Sequence, residues 1–531
     1  MKEKNIKLVL IALILSVSGL AACSQTSTMS PKTEQSQTGS KQKEKINQTG
    51  FPIVNKKITL SMFAPNVGVS KWEDMKFFIE MEKKTNIHFT FSTPPLESFE
   101  TRKKLLFASK ELPDILYGSS LSNSEITAYS KQGFLIPLEE LIEQYAPNIQ
   151  EMFEEYPDVK KSITAADDHI YTLPSVDRSL PWGQSPLWYN GSFLNALHET
   201  DLPGTTEELY ALLKRFKYED PNGNGKQDEI PITAMRMTDI HQWFMGFFGI
   251  VSIKHGVYNG TVKYGAIQPE YKAYLEYMHQ LWEEELLDHE TFSQSNEQKI
   301  AKGNDNRIGL YAGWGPGAFL GKGDNDENPM VKPVTGPTTV KPVIPISTGQ
   351  SVGQFAITHV NPNPEATIRW IDYSYSSEGS AFLHSLDVGD VWEWADKDKT
   401  TRKYITGLPT NHRGTLTPNY GIAVPQWTRI DFAKSFKNKF AEFNYRETDN
   451  KIIANGQVPF PDVFLKPEEL DQVMEISTVL NDYVAQMEEK FITGEEPLSK
   501  WGQYIQTQKE IGVDRLVEVY QAAYDRFAET K

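Results

Sequence analysis

The fold is read from Lys57-Ile58-Thr59-Leu60-Ser61-Met62-Phe63, a β-strand followed by a helical stretch over 72–84. In that stretch Trp72, Met75, Phe78, Ile79 and Glu82 fall near helical spacing. Residues 87–91 read as a second strand, 102–109 as a helix and 114–117 as a short buried strand. Strand–helix–strand–helix–strand implies parallel pairing, hence an α/β lobe. Ligands of such sheets collect beyond the carboxyl ends of the strands. That rule points to Phe63-Ala64-Pro65-Asn66 and to Tyr117-Gly118-Ser119-Ser120.

A second α/β stretch opens at Leu187-Trp188-Tyr189-Asn190. Thr205 and Glu208 have the spacing of a capping box, and Leu209, Leu212, Leu213 and Phe216 form the apolar stripe behind it. Helical patterns recur over 271–286 and 513–527, and 307–312 reads as a strand running into Gly313-Trp314-Gly315-Pro316-Gly317. From residue 51 the chain has about 480 residues, more than one core usually holds, so two lobes are expected.

At the N-terminus, Lys2, Lys4 and Lys7 precede an apolar run over 8–20 that is too short to span a bilayer. The run ends Leu20-Ala21-Ala22-Cys23, which resembles the lipobox of bacterial lipoproteins. Residues 1–22 then read as a signal peptide and Cys23 as the acylated anchor on the outer face of the cytoplasmic membrane. Cys23 is the only cysteine, so no internal disulfide forms. Residues 23–50 carry almost no apolar side chains and read as a flexible tether. The formal net charge is −16, and losing 1–22 with three Lys and one Glu makes the remainder more negative still. This argues against nucleic acid as a partner.

Several short stretches recur in a familiar order: Leu112-Pro113-Asp114-Ile115, Gly133-Phe134-Leu135-Ile136-Pro137-Leu138, Ile170-Tyr171-Thr172-Leu173-Pro174, Leu187-Trp188-Tyr189-Asn190, Phe491-Ile492-Thr493-Gly494 and Tyr520-Gln521-Ala522-Ala523-Tyr524. Together they resemble the extracellular solute-binding proteins of ABC importers, especially the large lipoprotein type that binds oligosaccharides. The resemblance implies a type II periplasmic-binding-protein-like α/β fold, with two lobes joined by crossing segments and ligand held between them. By that analogy the N-terminal lobe comprises 51–174 and 351–427, and the C-terminal lobe 175–350 and 428–531. It also implies a monomer that captures an oligosaccharide, a uronate-containing one included, and delivers it to ABC permease subunits.

Asp220-Pro221-Asn222-Gly223-Asn224-Gly225-Lys226-Gln227-Asp228-Glu229 places oxygen side chains at positions 1, 3, 5 and 9 and Gly at position 6, as in an EF-hand loop. Asp220, Asn222, Asn224, the Lys226 carbonyl, Asp228 and Glu229 are the expected ligands of a structural calcium ion. Pro231 stands where an EF-hand has its bidentate Glu, and Glu229 is the substitute. Members of the resembled family that bind alginate oligosaccharides carry a similar loop.

Sugars offer flat C–H faces beside hydroxyls, and Trp and Tyr match both. Of eleven Trp, Trp282 and Trp370 lie on amphipathic helices and read as core. Trp182, Trp243, Trp314, Trp392 and Trp394 are the cleft candidates, with Tyr117 and Asn66 at strand ends. Arg178 is a candidate for meeting an acidic sugar, as is Arg307. The competing classes are an exported polysaccharide-degrading enzyme and a peptide-binding lipoprotein of the same fold. The chain contains no G-x-S-x-G, H-E-x-x-H or Walker motif. Paired carboxylates for glycosidic cleavage leave no mark in sequence spacing.

Overall fold

The computed structural model describes residues 45–183, 185–320, 327–337, 339, 341–408, 412–436 and 439–529. Cys23, the signal segment 1–22 and residues 23–44 lie outside the described residues. Residues 46–50 belong to the folded body, which shortens the tether. Ile46 bridges Val54, the Asn47 amide donates to the Ile53 carbonyl, and Arg369 donates to the carbonyls of Asn47 and Gly50. Composition hid this, because backbone groups make most of these contacts, with Ile46 packed on the core and the Asn47 side chain donating to the Pro52 carbonyl. Among the described residues, no helix is long and apolar enough to cross a membrane.

A six-stranded sheet organises the first lobe, in the spatial order Gln426–Thr428, Leu173–Asp177, Gln350–Ile357, Ile115–Tyr117, Ile58–Phe63, Ile87–Ser92. Strand 350–357 is antiparallel to both neighbours, and the other pairs are parallel. Side chains alternate between the faces. Leu60, Met62, Ile115, Tyr117, Phe355 and Ile357 join the core on one face, with Phe77, Phe78 and Met81 of helix Lys76–Thr85. Phe63, Leu116 and Ala356 join the opposite core, with Phe99 and Phe107 of helix Leu96–Ser109.

In the second lobe, Ile308–Ala312 is the central strand, antiparallel to Leu187–Tyr189 and parallel to Ile230–Thr233. Helices Thr206–Tyr218, Pro269–Glu283, Pro467–Thr493 and Val513–Glu529 pack around it in one apolar core. The Thr205–Glu208 capping box forms in both directions.

The chain leaves the first sheet after Asp177, re-enters at Gln350 and leaves again after Thr428. All three crossings lie on one edge of that sheet, because strand 350–357 runs against its neighbours. The first two are zipped together: the Asp177 amide donates to the Gly349 carbonyl at 2.6 Å, and Ser347 donates to Pro181 at 3.2 Å. Gly349 has φ +71°, and a Cβ there would stand 2.6 Å from the Asp177 carbonyl, so only glycine fits.

A further excursion departs from the expectation that 428–531 belongs wholly to the second lobe. Phe464 is 7 % exposed and sits in the first-lobe cluster with Phe63, Phe99, Phe107 and Leu121. Asn123 donates to the Val463 carbonyl at 2.8 Å, and Gln350 donates to Asp462 at 2.9 Å. Burial raises the Asp462 pKa. One aromatic residue in a Pro-flanked segment has no periodicity to announce where it packs.

Phe464→Ala should cost about 3–5 kcal/mol, the range for truncating a core aromatic. Urea unfolding followed by circular dichroism measures it. An unchanged midpoint would show that this strap contributes no packing.

Candidate functional site

The carboxyl edge of the first sheet is built from three loops. Asn66, at the end of strand 58–63, accepts the Gly68 amide on Oδ1 at 2.8 Å and donates to the Ser70 carbonyl at 3.3 Å. Its side chain thus closes its own turn and stays half-buried. Gly118, after strand 115–117, approaches the Ala423 carbonyl, and Gly421 abuts Val67. Tyr117 itself is fully buried, edge-on to Trp72 at 5.6 Å between ring centroids. It is a core residue and offers a ligand no surface, which corrects its place among the cleft candidates. The strand-end rule locates the edge, but the pleat decides which way each side chain faces.

On the second lobe, two candidate tryptophans come together. Leu187 pairs with Ala312, so the start of one strand lies beside the end of the other. Trp182 precedes the first and Trp314 follows the second. Their ring centroids are 5.5 Å apart at an interplanar angle of 50°. Trp314 is 70 % exposed, while Trp182 is half-buried and donates its indole N–H to Thr448 Oγ1 at 2.8 Å. Nothing in the local sequence around Thr448 marks it for this role, because the contact joins residues far apart in the chain. Nearby, Lys434 lies 5.4 Å from the Tyr445 ring centroid and 3.7 Å from Asp449.

The other candidates are placed elsewhere. Trp243 is 2 % exposed in the second-lobe core and donates to the Ser185 carbonyl at 3.1 Å. Trp392 and Trp394 form, with Phe432 and Phe436, an aromatic box around Arg402, whose guanidinium carbon is 4.6, 5.1, 4.3 and 5.9 Å from the respective rings. The box is filled by the chain's own cation. Both rings are therefore engaged in packing rather than offered to a ligand. Arg178 donates to the Thr348 carbonyl at 3.0 Å, pairs with Asp158 and covers the Tyr156 ring, so it braces the crossings. Arg307 donates to the Asp228 carbonyl at 2.9 Å and lies 3.5 Å from its carboxylate. Trp370 is buried as expected, and Trp282 stacks on His289.

Loop 220–229 is closed by its own polar groups. Asp220 accepts the amides of Asn224 at 3.1 Å and Gly225 at 2.9 Å; Asp228 accepts the side-chain amides of Asn222 and Asn224 at 3.2 and 2.9 Å. Gly225, at φ +74°, makes the turn. Glu229 is different: it is 7 % exposed, and both its carboxylate oxygens are buried without a hydrogen-bond partner. Burial, reinforced by Asp220 and Asp228, raises its pKa. Among the described residues, no three His, Cys, Asp or Glu side chains converge tightly enough to form a metal cluster. The loop's remaining donors are amide and backbone oxygens.

Comparison with known proteins places this architecture. Over its whole length the chain is 27 % identical to the fructooligosaccharide ABC transporter substrate-binding protein FusA of Streptococcus pneumoniae, all of whose sequence it covers. It is 23 % identical to the polygalacturonan/rhamnogalacturonan-binding protein YtcQ of Bacillus subtilis, over 44 % of this chain and 45 % of that one. The solved structure of FusA in complex with kestose superimposes with TM-score 0.73 at 24 % identity, over 89 % of this chain and 100 % of that one. The alginate-binding protein AlgQ2, solved without calcium ion, superimposes with TM-score 0.68 at 22 % identity, over 89 % and 99 %. Residues 71–381 match the family described as bacterial extracellular solute-binding proteins, more than half of the chain, and the chain belongs to that family.

Proposed function

We propose that this protein captures a neutral oligosaccharide outside the cytoplasmic membrane and hands it to the permease subunits of an ABC importer. The observation that carries the reading is Trp314, 70 % exposed yet set against Trp182. An exposed indole beside a second, fixed indole is a stacking platform for sugar rings. Charge favours a neutral cargo over a uronate. Arg178 and Arg307 are engaged by Asp158 and Asp228, and Lys434 near the platform faces Asp449. Of the two relatives named for their glycans, FusA, the fructooligosaccharide one, matches over the full chain. Cys23, acylated after removal of 1–22, would tether the receptor near its permease and raise its effective concentration there.

We also propose that loop 220–229 binds calcium in a structural role. The support is the orphaned Glu229 carboxylate, since a buried unpaired carboxylate is costly unless a cation meets it. Asp220, Asn222, Asn224, the Lys226 carbonyl, Asp228 and Glu229 would supply oxygen ligands, which suits a hard cation. Relatives bear on this too: FusA has been solved as an EF-hand mutant. The ion would pin the end of helix Thr206–Tyr218 to strand Ile230–Thr233, on the second lobe.

Isothermal titration should show saturable binding of kestose without turnover and none of trigalacturonate. Trp314→Ala should weaken kestose binding at least about tenfold, a loss of roughly 1.4 kcal/mol. Tighter binding of trigalacturonate, hydrolysis of kestose, or an indifferent Trp314→Ala would each overturn the reading.

Calcium should raise the melting temperature of chelator-treated protein, and Glu229→Gln should abolish that rise. In calcium-free protein at pH 7, Glu229→Gln should be at least as stable as wild type. The sign follows from linkage: a folded pKa above the unfolded one makes the ionised carboxylate a destabilising group. Its penalty grows as pH rises through the unfolded pKa toward the folded one. The stability gap between the two proteins should therefore close as pH falls below the unfolded value of about 4.3. A calcium-independent melting temperature in wild type would remove the proposal.

A further inference from the structure

The Trp182–Trp314 pair depends on a third residue with no ligand-facing chemistry of its own. Thr448 is 1 % exposed, and its Oγ1 accepts the Trp182 indole proton. It opens a π-helical turn, Thr448–Ile452, directly after helix Lys439–Glu447. A π-turn inserts an extra residue into the helical ladder and re-aims the side chains around it, at a cost in backbone geometry that recurs at functional sites.

This turn is anchored at both ends. Glu447 Oε2 accepts the Met330 amide at 2.9 Å and the Lys451 ammonium at 2.6 Å, while Lys451 also donates to the Met330 carbonyl at 2.6 Å. Met330 bridges Trp188, in the strand that begins just after Trp182. The π-turn is thereby tied to the sheet from whose edge both platform rings emerge. Glu447 is 8 % exposed, so this is a buried, charge-assisted clamp.

We infer that Thr448 is a positioning residue for sugar capture: its hydroxyl, aimed by the clamped π-turn, fixes the Trp182 ring against Trp314. The inference rests on reading that pair as the platform. A single hydrogen bond removes the ring's freedom to rotate about its side-chain torsions. The surface a sugar meets is then already in place, and less ordering entropy is lost on binding.

The test uses the full chain labelled with 5-fluorotryptophan, with the Trp182 resonance identified by its loss in Trp182→Phe. Thr448→Val keeps the shape and removes the acceptor; Thr448→Ser keeps the acceptor. In Thr448→Val the Trp182 resonance should shift and broaden, and kestose affinity should fall about tenfold, with Thr448→Ser restoring both. An unchanged Trp182 resonance in Thr448→Val overturns the inference. A changed resonance with unchanged affinity also overturns it, since the ring would be held without consequence for binding. Failure of the platform reading appears separately, as kestose binding that ignores Trp314→Ala; the fluorine signal then still reports whether Thr448 holds the ring.

Discussion

The backbone hydrogen bond from Asp177 to Gly349 joins the first two crossings between the lobes at the point where both leave the six-stranded sheet. It exists because strand Gln350–Ile357 enters antiparallel beside strand Leu173–Asp177, which is leaving. Were the strand parallel, its entry would fall at the opposite edge, and the crossings would lie on two sides of the lobe. Instead the third crossing, after Thr428, leaves from the same edge, since strand Gln426–Thr428 is parallel to 173–177. The carboxyl edge of the first sheet thus serves as both the seam of the molecule and the place where α/β sheets offer loops to ligands. Arg178 reinforces the seam by holding Thr348, Asp158 and the Tyr156 ring at once.

The second lobe presents its edge to that seam by a similar logic of strand direction. Strand 308–312 ends where strand 187–189 begins. Trp314 and Trp182 are therefore neighbours although they stand 132 positions apart in the chain. The strap over 462–464 adds a constraint beside the seam, where Asp462 accepts from Gln350. Phe464 lies in the first-lobe core, yet helix Pro467–Thr493 begins within a few residues and packs in the second. A chain held at both ends over so short a span limits how far the lobes can separate there.

Much of the fold was legible because it rests on local pattern. Strand 58–63, its parallel partners and the Thr205–Glu208 cap all follow from side-chain spacing that any local window contains. Trp314 stood out because glycines surround it and leave little for an indole to pack against. The aromatic candidates that proved to be packing residues failed for non-local reasons. Trp392 and Trp394 look like a sugar platform until the hairpin sets Arg402 opposite Trp394 and Phe432 arrives from farther along the chain to close the box. Thr448 and Phe464 had no signal at all, since a π-turn and a lone inserted ring leave no periodicity. The end of the tether misled in the opposite sense: residues 46–50 look disordered by composition but are held by Arg369 and by an isolated bridge from Ile46 to Val54.

Leaving Trp314 70 % exposed forgoes up to about 4 kcal/mol of burial, from that share of an indole area of up to about 250 Å² at about 25 cal/mol per Å². That is a substantial fraction of the net stability of a typical domain. A fold that merely maximised stability would bury this ring, as it buries Trp188 and Trp243 a short distance away. Here, by contrast, the partner ring is fixed by Thr448, and Thr448 is fixed by the clamp on Met330. Exposure and rigidity occur together, and rigidity is what makes exposure useful. A mobile indole would collapse onto whatever apolar surface lay nearest, whereas one held against a fixed neighbour keeps its face available. On the proposed reading of the pair as a sugar platform, the energy withheld from folding at Trp314 is recovered when a flat, partly apolar sugar face covers it.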